Sequence, residues 1–196
     1  MTSPADEDIM RDVRDGNLQL LGNLFERYQS PLFNFFLRLT WDRQLSEDLV
    51  QDVFFRILKF RQTYRGDTLF TTWMYQIARN VRVDSLRKRK PESTLNEELA
   101  SSADTRPSPA EQLQSNEQEA LLRRAMARLP EDKRELLILT RYQNLKYEQI
   151  AELLDCQAGT VKTRVYRAMQ ELKQVYLELA GGGRTAAAGE PEIQEA

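Results

Sequence analysis

The chain has 196 residues, and 28 lysines and arginines against 30 aspartates and glutamates give it a formal net charge of −2 at pH 7. One cysteine and no histidine exclude a disulfide framework, a Cys/His zinc site and catalysis by histidine. No apolar run approaches the roughly 20 residues of a membrane-spanning helix, and the acidic start lacks the pattern of a signal peptide. We therefore expect a protein of the reducing cytoplasm that does not insert into a membrane.

Helical patterns fill the first ninety residues, and no alternating strand pattern is present. The segment Ser3-Pro4-Ala5-Asp6 predicts a capped helix start with proline at the first helical position, and Gly16 is placed to end that helix. Pro91 is expected to stop the last helix of this part, because proline cannot continue a helix. Between these points, apolar periodicity predicts helices at about 17–29, 31–40, 47–61 and 70–89.

The predicted helix from Ser46 to Arg61 carries more apolar residues than a single buried stripe requires. Its remaining face is polar but retains one aromatic residue, and it consists of Asp48, Gln51, Asp52, Phe55 and Lys59. A polar face that includes an exposed aromatic ring is typical of a protein-binding surface. A buried core helix with a solvated edge explains the same pattern equally well, so both interpretations stay open at this point.

Residues Thr63 to Asn80 combine a turn, Arg65-Gly66-Asp67, with the start of a long helix. One side of this helix is apolar and carries Phe70, Trp73, Met74, Ile77 and Val81. The other side is largely polar and carries Thr72, Tyr75, Gln76, Arg79, Asn80, Val83 and Arg87. Aromatic residues interleaved with arginine, asparagine and threonine beside a flexible loop suit the stacking of unpaired bases. Taken alone, Phe70, Trp73 and Ile77 favour positions in the core.

Charge is distributed unevenly around the next segment. Residues 79–90 contain six basic residues against one acidic residue, whereas residues 91–119 contain seven acidic residues against one basic residue. Residues 91–115 are rich in proline, serine, threonine and acidic side chains, which predicts a flexible, extended linker. Because affinity for nucleic acid depends on local basic patches, the overall acidity does not argue against DNA binding.

Helical periodicity returns after this linker. Apolar spacing predicts helices at about 116–128, 131–142, 146–154 and 158–179. Gly181-Gly182-Gly183 is expected to end the last helix. Residues 180–196 are predicted to form a disordered tail, because they are rich in alanine, glycine and glutamate.

Two of these helices form a helix-turn-helix pattern over residues 147–167. Asp155 begins the turn, since aspartate tolerates a left-handed backbone better than most residues, while Val161 and Val165 are expected to face the core. The N-terminal part of the second helix of such a motif reaches bases and phosphates. We therefore expect DNA binding, with a merely solvated basic face as the alternative. The side opposite the apolar stripe carries Thr163, Tyr166, Arg167 and Gln170. The start of that helix as a whole is crowded with hydroxyl, amine, guanidinium and aromatic groups, from Thr160, Lys162, Thr163, Arg164, Tyr166 and Arg167.

These three stretches, in this order, resemble the bacterial sigma-70 family of transcription initiation factors, in its compact extracytoplasmic-function (ECF) group. The segment Asp48-Leu-Val-Gln-Asp-Val-Phe54 is similar to the family's core-polymerase-binding motif. Phe70-x-x-Trp73 and Ile77-Ala-Arg-Asn80 are similar to its −10 element helix, and Tyr147 to Arg167 to its −35 element reader. The resemblance covers about residues 18–90 and 117–178.

The resemblance implies an all-α fold of two small helical domains joined by a flexible linker. The first domain, residues 1–90, is similar to sigma region 2 and is expected to bind core polymerase and the −10 element. Residues 91–115 form the acidic linker, and residues 116–179 form a domain similar to the helix-turn-helix of sigma region 4, which is expected to bind the −35 element. The resemblance also implies that the chain is not an enzyme and uses no cofactor or metal.

Roles for individual residues follow from the same resemblance. Docking on the clamp coiled coil of the largest polymerase subunit is expected of Asp48, Gln51, Asp52 and Phe55. Contact with the −10 element, including the capture of a flipped base, is expected of Tyr64, Arg65, Thr68, Phe70, Thr72, Trp73, Arg79, Asn80 and Arg87. Recognition of the −35 duplex is expected of Thr160, Lys162, Thr163, Arg164, Tyr166 and Arg167.

The implied partners are core RNA polymerase and promoter DNA, the free protein is expected to be a monomer, and an anti-sigma factor is a common further partner in this group. A conventional helix-turn-helix regulator is the first alternative, but it leaves the two motifs of the first domain without a role. A sigma-like decoy for an anti-sigma protein is the second, and the basic residues at 79–90 and 162–167 argue against it. A hydrolase or nuclease is disfavoured, because histidine is absent and the carboxylates form no recognisable metal cluster.

Overall fold

The computed structural model describes residues 5–89 and 111–182. Over these ranges the regular structure is helical, which confirms the predicted all-α fold. Short 3-10 turns at Leu18–Leu20 and Arg61–Thr63 precede α2 and follow α3. In chain order the helices are α1 Asp6–Arg14, α2 Leu21–Thr40, α3 Arg43–Phe60, α4 Phe70–Arg89, α5 Glu111–Arg128, α6 Glu131–Arg141, α7 Tyr147–Leu153 and α8 Ala158–Gly182.

The chain divides into two compact units, Met1–Ser102 with Ile138–Lys162 and Ala103–Leu137 with Thr163–Ala196. The first unit is built on α2, α3 and α4, which pack on one another and on α1. Its core contains aromatic rings in edge contact, with the Phe35 ring 5.2 Å from that of Phe36 and 5.3 Å from that of Tyr75. Helix α7 also packs against α4 in this unit.

The second unit contains α5, the first part of α6 and most of α8. Arg134 donates to the carbonyl oxygens of Ala127 and Leu129 at 2.9 and 3.0 Å. These carbonyls lie at the end of α5, where a helix has no internal donors left for them, so the guanidinium replaces a C-terminal cap. Lys133 and Glu171 form an ion pair. The buried apolar residues of this unit are Ala125, Met126, Leu129, Leu136, Leu137, Val165 and Ala168.

Helix α2 is continuous through Pro31, so the prediction of separate helices at about 17–29 and 31–40 is wrong. Proline in a helix interior removes one backbone donor and crowds the preceding turn, at a cost of about 3 kcal/mol. Leu24 and Leu32 are fully buried on the two sides of Pro31. Burial of the apolar face in both halves therefore offsets the local penalty, which the sequence pattern alone does not reveal.

Helix α3 begins at Arg43, earlier than the predicted start near residue 47. The carboxylate of Asp42 accepts a hydrogen bond from the backbone N–H of Leu45 at 3.0 Å, which makes Asp42 the N-cap. Trp41 ends α2 in the left-handed region, with φ 57°. Because Trp41 and Asp42 alone join α2 to α3, the two helices are held close together.

Two further boundaries differ from the predictions. Helix α5 begins at Glu111, inside the predicted linker, because glutamate, glutamine and leucine, which favour helices, follow Pro109. Helix α8 continues to Gly182 and so includes both Gly181 and Gly182, although each glycine costs a helix interior about 1 kcal/mol. The rest of the predicted linker and tail, and the Ser3-Pro4 part of the predicted cap, lie outside the described residues.

None of the helices that the structure describes is both long and apolar enough to cross a membrane. Among residues 5–89 and 111–182, no cluster of three or more acidic or cysteine side chains is arranged to hold a metal ion.

Candidate polymerase and nucleic-acid interfaces

The outward face of α3 carries all four residues predicted to bind polymerase. Asp48, Gln51, Asp52 and Phe55 are exposed, and Phe55 has 65% of its surface open to solvent. They recur at steps of three and four, so they form one stripe along the helix. Two like charges at positions i and i+4 destabilise an isolated helix by a few tenths of a kcal/mol, so this stripe is better suited to a basic, partly apolar partner than to solvent. The opposite face of α3 packs into the core through Leu49, Val50, Val53, Phe54 and Ile57.

The loop before α4 is supported by aromatic rings for which the sequence predicts DNA contact. Tyr64 is 1% exposed and Phe70 0% exposed, and Thr72 is also buried. The Tyr64 ring lies 5.2 Å from that of Trp73, and its hydroxyl donates to the Thr68 carbonyl at 3.1 Å. Burial raises the pKa of Tyr64 to about 12, so this hydroxyl remains protonated near neutral pH.

Three residues of the predicted −10 site are buried in this structure. Tyr64, Phe70 and Thr72 cannot touch a base in this structure without leaving the core, because their side chains are enclosed by neighbouring helices. Their burial depends on contacts between distant elements, whereas the sequence pattern shows only local spacing. In this structure the three buried side chains support the loop from the inside, and the loop exposes other residues to solvent.

Five of the remaining predicted −10 residues are accessible. Arg65, Asn80 and Arg87 are exposed, whereas Thr68 and Trp73 are half-buried. Gly66 has φ 76°, so the Arg65-Gly66-Asp67 turn uses the backbone freedom of glycine, as the sequence predicts. Together they offer a guanidinium at the loop, and an amide and a second guanidinium along α4.

Leu69 is a neighbour of this site that sequence reasoning missed. It is exposed although it is apolar, and it lies at the end of the loop, directly before α4. The available signal was an apolar residue in a turn whose other members, from Arg65 to Thr68, are small or polar. An exposed apolar side chain next to Trp73 suits contact with the face of an unpaired base.

Arg79, the remaining predicted −10 residue, is hydrogen-bonded to α7 within the first unit. Its guanidinium donates to the Leu153 carbonyl at 3.1 Å. On the same side of α4, the Tyr75 hydroxyl donates to the Gln143 amide oxygen at 2.6 Å, and Gln149 donates to the Thr71 hydroxyl at 3.2 Å. This contact occupies one of the five N–H donors of the half-buried Arg79 guanidinium.

The one acidic side chain of the predicted basic segment, Asp84, is paired with a cation from another helix, and one of its arginines is buried. Arg56 of α3 forms an ion pair with Asp84 at 2.8 Å, and Arg82 is buried. Arg87 and Lys88 are exposed. Since the side chains of residues 89 and 90 lie outside the described part of the chain, Arg87 and Lys88 are the surface charges that can be assigned to the predicted basic segment.

The helix-turn-helix pattern is confirmed by the geometry of α7 and α8. Asp155 has φ 49°, the left-handed conformation that the sequence predicts for the turn. Val161 and Val165 are buried, while the opposite side of α8 is open to solvent. The exposed set includes every residue predicted to meet the −35 element, namely Thr160, Lys162, Thr163, Arg164, Tyr166 and Arg167.

Comparison with protein families gives two matches, in the same order as the predicted domains. The family model described as Sigma-70 region 2 matches residues 24–92. The family model described as Sigma-70, region 4 matches residues 119–172. Helix α1 lies before the first match, and the exposed faces of α3, α4 and α8 lie inside the two matches.

Individual proteins are similar over most of the chain. The ECF RNA polymerase sigma factor SigM of Bacillus subtilis is 30% identical over 80% of this chain and 94% of its own. The RNA polymerase sigma-H factor of Pseudomonas aeruginosa is 29% identical over 88% of this chain and 94% of its own. Among solved structures, the sigma factor RpoE of Bartonella quintana, in complex with the anti-sigma factor NepR, is 25% identical with a TM-score of 0.63, and the match covers 79% of this chain and 94% of that one.

Proposed function

The chain belongs to the sigma-70 family of RNA polymerase sigma factors, in its ECF group, and on that basis we propose which surfaces carry out each step of initiation. It is a transcription initiation factor and not an enzyme, and its partners are core RNA polymerase and promoter DNA. The proposed place of action is the cytoplasm, where the polymerase is found. The proposed division of labour assigns residues 1–90 to core polymerase and the −10 element, 91–115 to a linker and 116–179 to the −35 element.

The observation that carries this proposal is the presence of three separately exposed faces on one chain. One is the stripe of carboxylates and an aromatic ring on α3, the second is the loop and polar side of α4, and the third is the outer side of α8. A conventional helix-turn-helix regulator needs only the third. A protein that must hold a polymerase and two promoter elements at once needs all three.

Core binding is assigned to Asp48, Gln51, Asp52 and Phe55. Binding hot spots in protein interfaces are aromatic or charged anchors that become desolvated, and Phe55 is the exposed ring of this stripe. The two carboxylates give the stripe the sign needed to meet a basic partner surface. The proposed target is the clamp coiled coil of the largest polymerase subunit.

Contact with the melted −10 strand is assigned to Arg65, Thr68, Trp73, Asn80 and Arg87. A flipped base costs a few kcal/mol to extract from the duplex, and a pocket repays this by stacking and hydrogen bonding. The indole of Trp73 supplies a ring, and Asn80 and Arg65 supply donors. Tyr64, Phe70 and Thr72 act as supports in this proposal, and Arg79 adds a guanidinium that also donates to the Leu153 carbonyl.

Recognition of the −35 duplex is assigned to the outer side of α8. Lys162 and Arg164 are proposed to meet phosphates, which fix the register of the helix on DNA without reading sequence. Thr163, Tyr166 and Arg167 are proposed to read base edges, since arginine pairs well with guanine in the major groove. Thr160 lies at the first turn of α8, where the helix dipole also favours a phosphate.

An anti-sigma factor is proposed as a further partner. The similar RpoE structure from Bartonella quintana is described as a complex with the anti-sigma factor NepR. A protein that blocks the exposed faces of α3 or α8 would silence the chain without altering its fold.

Binding measurements separate this proposal from its alternatives. We expect the free chain to bind core polymerase tightly and promoter duplex weakly, and the complex with core to bind the same duplex tightly. Strong binding of duplex by the free chain, together with no affinity for core polymerase, would instead identify a conventional regulator. Affinity for neither would leave a decoy for an anti-sigma protein.

A further inference from the structure

Helix α1 lies outside the region 2 match, yet it holds the loop before α4 at several points. The side-chain amide of Gln62 donates to the Arg14 carbonyl at 2.7 Å, and the Arg14 guanidinium donates to the Tyr64 carbonyl at 3.4 Å. The side chain of Arg11 lies over Gly66, where an added Cβ would meet it at 3.4 Å. Contacts from one helix therefore reach the beginning and the middle of a loop that is about fifty residues away in sequence.

The end of the loop is held by Glu7. Its carboxylate accepts a hydrogen bond from the backbone N–H of Phe70, the first residue of α4, at 3.0 Å. The first N–H groups of a helix have no internal acceptor and are normally satisfied by the N-cap side chain. Leu69 occupies the N-cap position, because its carbonyl accepts from Trp73, and a leucine side chain cannot accept a hydrogen bond. Glu7 replaces it from 63 residues away, and its negative charge also suits the helix dipole.

Helix α1 is itself fixed firmly enough to position other groups. Ile9, Met10 and Val13 are buried against the first unit. At its first residue, the Asp6 carboxylate accepts hydrogen bonds from Arg27 and from the Tyr28 hydroxyl of α2. Both the apolar face and the polar start of α1 are therefore anchored, and Glu7 lies directly beside that anchor.

We propose that α1 positions the loop that captures the −10 base, and that Glu7 is its chief positioning residue. This inference rests on the proposed function of the loop and adds a control element outside the matched family regions. With both ends of the loop tied, the exposed Arg65 and the half-buried Thr68 are held on a backbone that is already ordered. A site ordered in advance loses less conformational entropy on binding, so the contacts to α1 strengthen the capture of a base that they never touch.

The test uses the full chain bound to core polymerase and a single-stranded oligonucleotide that carries the −10 sequence of a promoter mapped by run-off transcription. Glu7→Ala is expected to weaken binding of this oligonucleotide roughly 3- to 10-fold, the effect of losing one helix cap on local order. Its preference over an oligonucleotide with an abasic −10 position is expected to fall as well. Glu7→Gln keeps a carbonyl acceptor for the Phe70 N–H and is expected to retain most of the affinity. Asp12→Ala, an exposed carboxylate on the same helix, is the matched control and is expected to change neither quantity.

Two readouts distinguish positioning from general damage. Affinity for core polymerase and for −35 duplex is expected to stay within about twofold for all three variants. The α3 stripe and the outer side of α8, to which these two affinities are assigned, are distant from Glu7 in sequence and do not include it. Amide hydrogen exchange of residues 61–70 is expected to accelerate in Glu7→Ala and not in Asp12→Ala, because local opening is reported by exchange rates. If Glu7→Ala loses affinity for core polymerase, the Gln62→Ala variant tests the positioning role instead. Gln62 is exposed, so it can lose its hydrogen bond to Arg14 without disturbing the hydrophobic interior.

The outcomes distinguish failure of the proposed −10 site from failure of the positioning role of α1. If the unmodified complex does not prefer the intact oligonucleotide over the abasic one, the proposed −10 site is wrong, whatever the variants do. If the unmodified complex does prefer it, while Glu7→Ala and Gln62→Ala leave the preference and the exchange rates unchanged, the positioning role of α1 is overturned. A loss of preference with faster exchange in both variants supports it.

Discussion

Phe54 and Phe55 are neighbours in the sequence, yet the first is 7% exposed and the second 65% exposed. Leaving a phenylalanine side chain in water rather than burying it forgoes about 1.5–3 kcal/mol. The ring of Phe54 recovers that energy against Phe25, with centroids 4.9 Å apart. The exposed ring of Phe55 does not recover this energy in the free chain. Burial against a partner therefore explains a phenylalanine at this position better than the fold does.

Phe55→Ala is expected to weaken binding to core polymerase by more than about 1 kcal/mol, as truncation of an interface anchor does. Its effect on the free energy of unfolding should be within about 0.5 kcal/mol, because the ring is exposed. Phe54→Ala is the matched comparison, and it should lower stability by about 3–5 kcal/mol. Titration with core polymerase and denaturant unfolding measure the two quantities. Unchanged affinity in Phe55→Ala would mean that the exposed ring of the α3 stripe does not bind core polymerase.

Arg167→Ala is expected to cost about 1–3 kcal/mol at the −35 element and to relax the preference at one base position. The guanidinium is exposed on the outer side of α8, so its loss should not alter the fold. Lys173→Ala, an exposed cation further along the same helix, is the control and should change little. Competition among duplexes that differ at single −35 positions measures the effect. An unaltered preference at every position would show that Arg167 does not read bases.

Among the elements, the turn between α7 and α8 depends on a backbone conformation more than on side-chain contacts. Asp155 is exposed and has φ 49°, a region that costs most residues about 1–2 kcal/mol. Glycine pays no such penalty there. The backbone of this turn is thus tied to the conformation of one residue.

Asp155→Gly is expected to leave the free energy of unfolding unchanged or to raise it slightly. Asp155→Ala is expected to lower it by about 1 kcal/mol, because alanine has neither the freedom of glycine nor the local hydrogen bonds of aspartate. Denaturant unfolding of the two variants supplies the comparison. Equal stabilities would mean that the turn is not left-handed in solution.

The sequence predicts elements well where their signals are local, and less well where distant contacts decide. The turn at Asp155 and the buried positions Val161 and Val165 follow from residue type and spacing, and the structure confirms them. The continuity of α2 through Pro31 depends on packing against other helices, so the local rule for proline misses it. Tyr64 and Glu7 show the same limit within the candidate site. The burial of one and the capping role of the other depend on elements far away along the chain.

For the whole molecule, the small net charge of −2 conceals surfaces of opposite sign. The α3 stripe carries Asp48 and Asp52, whereas the outer side of α8 carries Lys162, Arg164 and Arg167. Oppositely charged faces on one chain allow a basic protein partner and a nucleic acid to be held at the same time. When one chain binds both promoter elements, each contact raises the effective concentration of the other.

Lys162→Ala should weaken promoter binding by the polymerase complex to a similar extent for all −35 sequences. Each phosphate contact contributes about one counterion to the salt dependence of binding, so the slope of log affinity against log salt should fall by about 1. Lys173→Ala again serves as the control. Equilibrium binding between about 50 and 200 mM salt measures the slope. A changed base preference with an unchanged slope would mean that Lys162 reads sequence instead of contacting phosphate.

Run-off transcription from a library of upstream fragments, using core polymerase with and without this protein, tests whether the chain directs initiation. We predict start sites that occur only when the protein is present, that share two spaced sequence motifs, and whose transcripts decrease with Phe55→Ala. The absence of any protein-dependent start site, together with tight binding of the free chain to duplex DNA, would contradict the assignment of these surfaces to a polymerase-bound initiation factor.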